Sequence, residues 1–106
     1  MSSGPSADGS PLHDLDDVVH QRVRLAILAL LSQVDALEFT RVRDELGATD
    51  GNLNRHLRAL DDAGYVNQSR ESRRGKSSTW LSITAAGSLA LSREVAALRA
   101  LLDHID

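Results

Sequence analysis

Two glycines, Gly47 and Gly64, bound the stretch that most restricts the fold of this 106-residue chain. Glycine adopts the left-handed conformation in which helices often end, without the steric cost of a Cβ atom. Gly47 therefore closes one predicted helix and Gly64 closes the next, and Thr49 or Asp50 can cap the N-terminus of the second. Because the turn between these helices is very short, the spacing predicts a helix-turn-helix.

The second of these helices, residues 50–63, is predicted to be amphipathic. At about 100° per residue, Leu53, Leu57 and Leu60 form one apolar stripe. The opposite face consists of Gly51, Asn54, Arg55 and Arg58. From a helix in the major groove of DNA, arginine reads guanine and asparagine reads adenine, and a glycine permits close approach. The same face is also compatible with an ordinary solvent-exposed helix, so the flanking sequence is needed to distinguish the two interpretations.

After Gly64 the pattern changes to that of two antiparallel strands, residues 65–70 and 79–84, with residues 71–78 as their connection. The tip of this predicted hairpin, or wing, contains Arg73, Arg74 and Lys76, with Arg70 just before it. A charged tip is often only a solvated loop. Directly after a helix-turn-helix, however, such a basic tip favours contact with DNA phosphates or the minor groove.

The predicted first helix, from Leu15 to about Val34, carries apolar residues on two sides. Its narrower stripe consists of Val18, Leu25, Leu28 and Ala29. A helix that is apolar on two sides needs two covers, and a small domain easily supplies only one. A further helix or a second subunit is therefore expected over this stripe.

The predicted last helix begins at Thr84, which can cap it, and continues to about Ile105 (84–105). Its apolar residues alternate in steps of four and three, as in a coiled-coil seam, and are Leu91, Val95, Leu98, Leu102 and Ile105. Leu89 and Leu101 lie off this seam and are expected to pack on the domain. Together, the first and last helices predict a homodimer, and the alternative is that they pack on each other within one subunit.

The remaining segments complete a single domain. Residues 1–13 are mostly polar and are predicted to be a disordered tail, which leaves 14–106 as the domain. A short supporting helix is expected from Phe39 to Leu46, after a connection at residues 35–38 that has room for a minimal strand. The chain has no cysteine and no apolar run of membrane-spanning length, so we expect a cytoplasmic protein that does not enter membranes.

A net charge of −3 by itself argues against nucleic-acid binding, but the charges are distributed unevenly along the chain. Residues 51–80 contain six basic and three acidic residues, whereas residues 1–50 contain nine acidic and four basic residues. Salt screens charges beyond about 8 Å, so a partner that docks on the middle segment experiences that segment's positive charge.

With this order of elements established, the chain from about Leu15 to Leu102 resembles the small winged-helix transcriptional regulators of the MarR/ArsR-like group. The closest resemblance is to the compact winged helix DNA-binding family. The matching segments are residues 22–28, 39–47, 50–60, 63–66 and 83–87. Each segment alone is weak evidence for the family, but the combination of all five in this order is specific to it.

The resemblance implies a mainly α fold with a small antiparallel hairpin, a winged helix-turn-helix, and a C-terminal dimerisation helix. It also implies a transcriptional regulator that binds double-stranded DNA as a homodimer. The expected DNA contacts are Thr49, Gly51, Asn52, Asn54, Arg55, Arg58, Arg70, Arg73, Arg74 and Lys76. The group includes sensors of small aromatic molecules and of metals, but this sequence selects neither, and a small-molecule effector stays open.

No other chemistry has support in the sequence. The histidines do not follow the metal-binding spacing of the ArsR side of the group, and nucleophile-elbow and phosphate-loop motifs are missing, so no metal, cofactor or enzyme activity is expected. His56 lies at the margin of the leucine stripe and is expected to be a partly buried histidine satisfied by a neighbour. The alternative function is that of a winged-helix module that binds proteins rather than DNA.

Overall fold

The computed structural model describes residues 21–105, so the predicted tail (1–13) and Val18 lie outside it. Within this range the elements are α1 (Arg22–Leu31), β1 (Leu37–Glu38), α2 (Phe39–Leu46), α3 (Asp50–Asp62), β2 (Val66–Arg73), β3 (Lys76–Ile83) and α4 (Ala85–Asp103). A helix-turn-helix formed by α2 and α3 is followed by a hairpin and a final helix. The predicted winged helix-turn-helix fold is confirmed, including the minimal strand before α2.

The bounds of the helices differ from the predicted ones, most of all in α1. The prediction of one continuous helix from Leu15 to about Val34 is wrong at Gln21, whose backbone is extended, so α1 begins at Arg22 and ends at Leu31. α3 ends at Asp62, and α4 ends at Asp103, two residues before the predicted end. The shifts of one or two residues at the ends of α3 and α4 are common because terminal helical turns fray.

The turn that organises the domain has the expected local chemistry. Gly47 and Gly64 have φ angles of 63° and 82°, in the left-handed region. Of the two candidate caps, Thr49 is the one that caps α3, since its Oγ1 accepts a hydrogen bond from the Asn52 backbone N–H at 3.1 Å. The helix-turn-helix is therefore encoded by residues within the turn itself.

The hairpin differs most from its prediction. β3 lies between β1 and β2 in an antiparallel sheet, and residues 71–78, predicted as a connection, are paired strand residues apart from the two at the turn. Arg73 pairs with Lys76 across a two-residue turn formed by Arg74 and Gly75. Both turn residues have positive φ, 53° and 77°, and such turns match the twist of paired strands. The wing is therefore a long two-stranded ribbon.

The core lies between α1, α3 and the sheet. It contains the leucine stripe of α3 together with Ile27, Leu28, Leu31, Val42, Val66, Leu81 and Ala90. Leu28 has no exposed surface, so it cannot belong to the predicted dimer interface. α1 approaches α3 closely enough that this side chain fills the core of its own chain.

The buried side of α4 consists of three small residues and one glutamate. Its buried positions are Gly87, Ala90, Glu94 and Ala97. A Cβ atom at Gly87 would overlap the carbonyl oxygen of Tyr65, so the start of α4 lies directly against the chain that leaves α3. The expectation that Leu89 packs on the domain is wrong, since 52% of this residue is exposed.

Candidate nucleic-acid interface

The polar face of α3 is open to solvent. Its leucine stripe is fully buried, which fixes the rotation of the helix and turns the opposite side outward. The predicted contacts Thr49, Gly51, Asn52, Asn54, Arg55 and Arg58 are all exposed. The Asn52 side-chain oxygen accepts a hydrogen bond from Arg55 at 3.3 Å, so these two neighbours hold each other in position.

An ion-pair network fixes the start of α3 relative to α2. Arg43 in the last turn of α2 donates to Asp50 Oδ1 across the helix-turn-helix, and to Asp44 Oδ1, both at 2.9 Å. The hydrogen bond to Asp50, followed by that to Asp44, raises the pKa of Arg43. Sequence reasoning did not predict this contact, because the two residues are seven positions apart and only the turn brings them together.

The basic residues of the wing lie along its ribbon and at its tip. Arg70, Arg73, Arg74 and Lys76 are all exposed. Arg74 is the non-glycine residue with positive φ among the described residues. This conformation is uncommon outside glycine, asparagine and aspartate, and here it places a guanidinium at the tip of the hairpin.

A polar cleft connects the base of the wing to α3. It has a volume of about 450 Å³ and is lined by Phe39, Asn54, Gln68, Ser69, Arg70 and Thr79. Gln68 Nε2 also donates to Asp61 Oδ2 at 3.4 Å, which links β2 to the second half of α3. The cleft therefore brings together Asn54 and Arg70, which were predicted separately, and adds Gln68, which was not predicted.

The cations of this surface are available for an outside partner. Within residues 21–105, the ion pairs join Arg41 to Glu45 and Arg43 to Asp44 and Asp50. No carboxylate of this part of the chain forms an ion pair with the basic residues of α3 or the wing. Unpaired, exposed arginines are the groups with which proteins bind phosphates and base edges.

His56 is satisfied by a neighbour, as predicted. Its Nδ1 accepts a hydrogen bond at 3.3 Å from Nε of Arg24, a residue of α1 that the sequence did not single out. Burial lowers the pKa of His56 below 6.5, and the charges of Arg24 and Arg55 lower it further. The imidazole is therefore neutral at pH 7, which suits its role as an acceptor.

The predicted dimer residues fall into three groups. Leu28 is in the core; Leu25, Leu91, Val95 and Leu98 are half-buried; Leu102 and Ile105 are 63% and 70% exposed. The two most exposed of these residues are thus Leu102, in the last turn of α4, and Ile105, just beyond the end of the helix.

A separate apolar groove lies between α1 and α2. It has a volume of about 540 Å³, and its lining includes Ala26, Leu30, Val34, Leu37 and Leu46. Residues predicted to contact DNA do not line it.

Residues 21–105 contain neither a membrane-spanning helix nor a metal-binding cluster. No helix in this range is both long and apolar enough to cross a membrane. The same residues contain no group of three or more His, Asp or Glu side chains arranged to hold a metal ion.

Comparison with known proteins identifies the class that this geometry defines. A family model described as winged helix DNA-binding domain matches residues 23–102, and the chain belongs to this family. An uncharacterised protein of Methanocaldococcus jannaschii is 33% identical over 84 residues, which cover 79% of this chain and 91% of that protein.

Solved structures of transcriptional regulators share the fold of this chain. A transcriptional regulator homologue from Pyrococcus horikoshii is 28% identical and superposes with a TM-score of 0.78, covering 84% of this chain and 88% of the other. Lactococcus lactis ZitR, a zinc-responsive MarR family member, was solved as a point mutant in complex with DNA. That complex shares the fold at 16% identity and a TM-score of 0.61, covering 99% of this chain and 65% of ZitR. The chain is therefore a winged helix DNA-binding domain protein, and its fold is shared with solved transcriptional regulators.

Proposed function

We propose that this protein regulates transcription by binding a specific sequence of double-stranded DNA as a homodimer. The recognition helix α3 enters the major groove, and the wing, residues 70–79, contacts the phosphate backbone or the minor groove. The observation that carries this proposal is the exposed polar surface shared by α3 and the wing. Six basic residues of this surface have no ion-pair partner in the described part of the chain.

The two parts of this surface have different tasks in the proposal. Asn54, Arg55 and Arg58 project from α3 and have the side-chain geometry that distinguishes base edges. Arg73, Arg74 and Lys76 lie at the wing tip, where they contact the backbone regardless of sequence. Base readout therefore belongs to the helix, and general affinity belongs to the wing.

Fluorescence anisotropy tests this division of tasks. Labelled genomic fragments and scrambled duplexes are titrated at several salt concentrations with wild-type protein, Arg58→Ala and an Arg73/Arg74/Lys76→Ala triple variant. Arg58→Ala is expected to reduce discrimination between fragments by about 1–3 kcal/mol. The triple variant is expected to bind all duplexes more weakly, with a salt slope reduced by about 0.9 for each phosphate that it no longer neutralises.

Equal behaviour of the two variants on matched and scrambled DNA would contradict the division of tasks. Absence of binding by wild-type protein at low salt would instead favour the protein-binding alternative. That alternative predicts that the wing arginines are dispensable and that apolar surface mutations are damaging.

The homodimer part of the proposal is supported by the C-terminal end of α4. Leu102 in the last turn of α4 and Ile105 just beyond the helix are largely exposed, and a contiguous exposed apolar patch marks an interaction surface. Dimers of helix-turn-helix proteins place two recognition helices in major grooves about one turn of DNA apart, or about 34 Å.

Sedimentation velocity over a range of concentrations tests the dimer. Wild-type protein is expected to sediment as a dimer, and a Leu102/Ile105→Ser variant is expected to sediment as a monomer with unchanged helix content. An Arg99→Ser variant on the same helix serves as the control, because it changes an exposed polar position. A monomeric wild-type protein at all concentrations would contradict the homodimer and leave the DNA assay unaffected.

A further inference from the structure

A pair of basic side chains lies on the side of α3 that faces α1. Arg24 of α1 donates its Nε–H to Nδ1 of His56 on α3 at 3.3 Å, across 32 positions of sequence. Both residues are half-buried. This pair does not belong to the DNA-contact surface predicted from the sequence, and it connects the first helix of the domain to the recognition helix.

The position of the pair relative to the wing is important. Asn54 lines the cleft next to β2, so it marks the flank of α3 that faces the wing. At about 100° per residue, His56 lies about 160° around the helix from Asn54. The Arg24–His56 pair therefore marks the flank on the other side, away from the wing.

A helix in the major groove has a phosphate backbone on each flank. The groove is about 12 Å wide, and a helix with its side chains is about 10–12 Å in diameter, so both backbones lie within reach of side chains. The wing, including Arg70, is placed to contact the phosphate backbone on one flank. Contacts on the other flank require a cation on the α1 side of α3, and Arg24 is placed there.

The chemistry of Arg24 fits this task. A guanidinium has five N–H donors, and the hydrogen bond to His56 uses only the one on Nε. None of the ion pairs within residues 21–105 involves Arg24. The two terminal amino groups thus retain their capacity to bind a phosphate, for which arginine is well suited.

His56 acts as a positioning residue for this guanidinium. As a neutral imidazole it accepts from Nε and restricts the rotation of the Arg24 side chain. The charges that shift the pKa of His56 are those of Arg24 and Arg55, and both are positive. The local field therefore favours an anion.

We propose that Arg24, held by His56, binds a backbone phosphate of the DNA on the flank of α3 opposite the wing. This inference rests on the proposed function and adds a phosphate site to it. The protein then contacts both DNA backbones that border the major groove, one through the wing and the other through α1.

Salt titration of DNA binding tests the site, with Arg22→Gln as a matched control for Arg24→Gln. Both variants remove one positive charge, but Arg22 is exposed and lies about 160° around α1 from Arg24. Arg24→Gln is expected to weaken binding about tenfold on matched and scrambled duplexes alike. Its salt slope is expected to fall by about 0.9, the value for one phosphate, while Arg22→Gln keeps the wild-type slope.

Variants of His56 test the positioning role. His56→Asn retains a side-chain oxygen acceptor and is expected to bind with the wild-type salt slope. His56→Leu removes the acceptor and is expected to weaken binding although the charge of Arg24 remains. Thermal unfolding of each variant identifies any loss of fold, and equal binding by both His56 variants would overturn the positioning role.

Methylphosphonate substitution of single DNA phosphates, performed with wild-type protein, keeps the test independent of variant folding. Wild-type protein is expected to lose affinity when phosphates on either edge of the major groove are neutralised. Arg24→Gln is expected to become insensitive on one edge and the wing variant on the other. Sensitivity on the wing edge alone, or equal slopes for Arg24→Gln and Arg22→Gln, would overturn the Arg24 site. Failure of wild-type protein to bind any duplex would overturn the proposed function as well.

Discussion

The recognition helix α3 and the C-terminal helix α4 use their apolar residues in opposite ways. α3 buries large side chains, with Leu53, Leu57 and Leu60 fully enclosed, and leaves polar residues outside. α4 buries mostly small residues and leaves Leu89 and Leu102 outside. The outer surface of α3 is therefore suited to a polar partner such as DNA, and that of α4 to an apolar partner.

The difference shows that the hydrophobic pattern of a helix does not identify which surface its apolar residues pack against. Leucines recur at helical spacing in both helices, yet in α3 they meet the core of their own chain. In α4 the helix backbone at Gly87 lies against the carbonyl of Tyr65, just before β2, so a side chain does not fit at that position. The inner side of a helix is set by how closely it packs, as well as by its hydrophobicity.

The largest expected effect separates the two leucine sets. Leu57→Ala in α3 creates a cavity in the core and is expected to reduce the free energy of unfolding by about 2–5 kcal/mol. Leu102→Ala in α4 is expected to change it by less than about 0.5 kcal/mol under monomeric conditions, because this side chain is largely exposed. Urea denaturation at low protein concentration measures both, and equal losses would show that the comparison is wrong.

A pair of glycines provides the next test. Gly87→Ala in α4 is expected to destabilise the fold by about 1–3 kcal/mol, since the new methyl group would overlap the Tyr65 carbonyl. Gly51→Ala in α3 has open space around it and is expected to stabilise the helix by a few tenths to about 1 kcal/mol. Thermal denaturation compares them. A neutral Gly87→Ala would mean that α4 packs less closely than described.

The two threonine caps sharpen the same comparison. Thr49 accepts one hydrogen bond at the start of α3, and Thr49→Ala is expected to cost about 1 kcal/mol. Thr84 accepts from the Gly87 N–H at 2.9 Å and also donates to the Gly64 carbonyl at 2.6 Å. Thr84→Ala should therefore cost about 0.5–1.5 kcal/mol more than Thr49→Ala, as measured by urea denaturation. Equal costs would show that the bond to Gly64 adds nothing.

The smallest expected effect is a pH dependence that arises from α3. The pKa of His56 is lowered in the folded state, so the unfolded state binds more protons as the pH falls below about 6.5. The stability linked to His56 is complete above this pH and declines below it, until the folded-state pKa is passed. The free energy of unfolding, measured from pH 7.5 to pH 5, should fall less steeply in His56→Asn than in wild-type protein. Identical slopes would show that His56 is not held neutral.

Much of the fold follows from local sequence. Gly47 and Gly64 end their helices through a conformation that other residues adopt at a cost, and Thr49 caps the next helix through a bond within its own turn. The leucine stripe of α3 fixes which side faces the core. These features depend on residues a few positions apart, and for this reason the helix-turn-helix and the exposed contact surface could be predicted.

The wing was only partly predictable. The sequence identifies its basic residues, but it predicts an eight-residue connection where the structure has paired strands. The sequence Arg74-Gly75 is a weak turn signal, since the preferred first residue is asparagine or aspartate. The strand pairing from Glu71 to Ser78 is set by the register that continues from Val66 and Ile83, which local residue preferences do not reveal.

The sequence by itself determined the order of the elements, the boundaries of the recognition helix and the basic character of its outer face, because each rests on short-range periodicity, capping and glycine conformation. Only the tertiary structure decided that Leu28 is buried, that the inner side of α4 consists of small residues and Glu94, and that Arg43 meets Asp50 and Arg24 meets His56. These outcomes depend on the distance and rotation between helices. Packing of the whole chain sets both, and no single segment contains them.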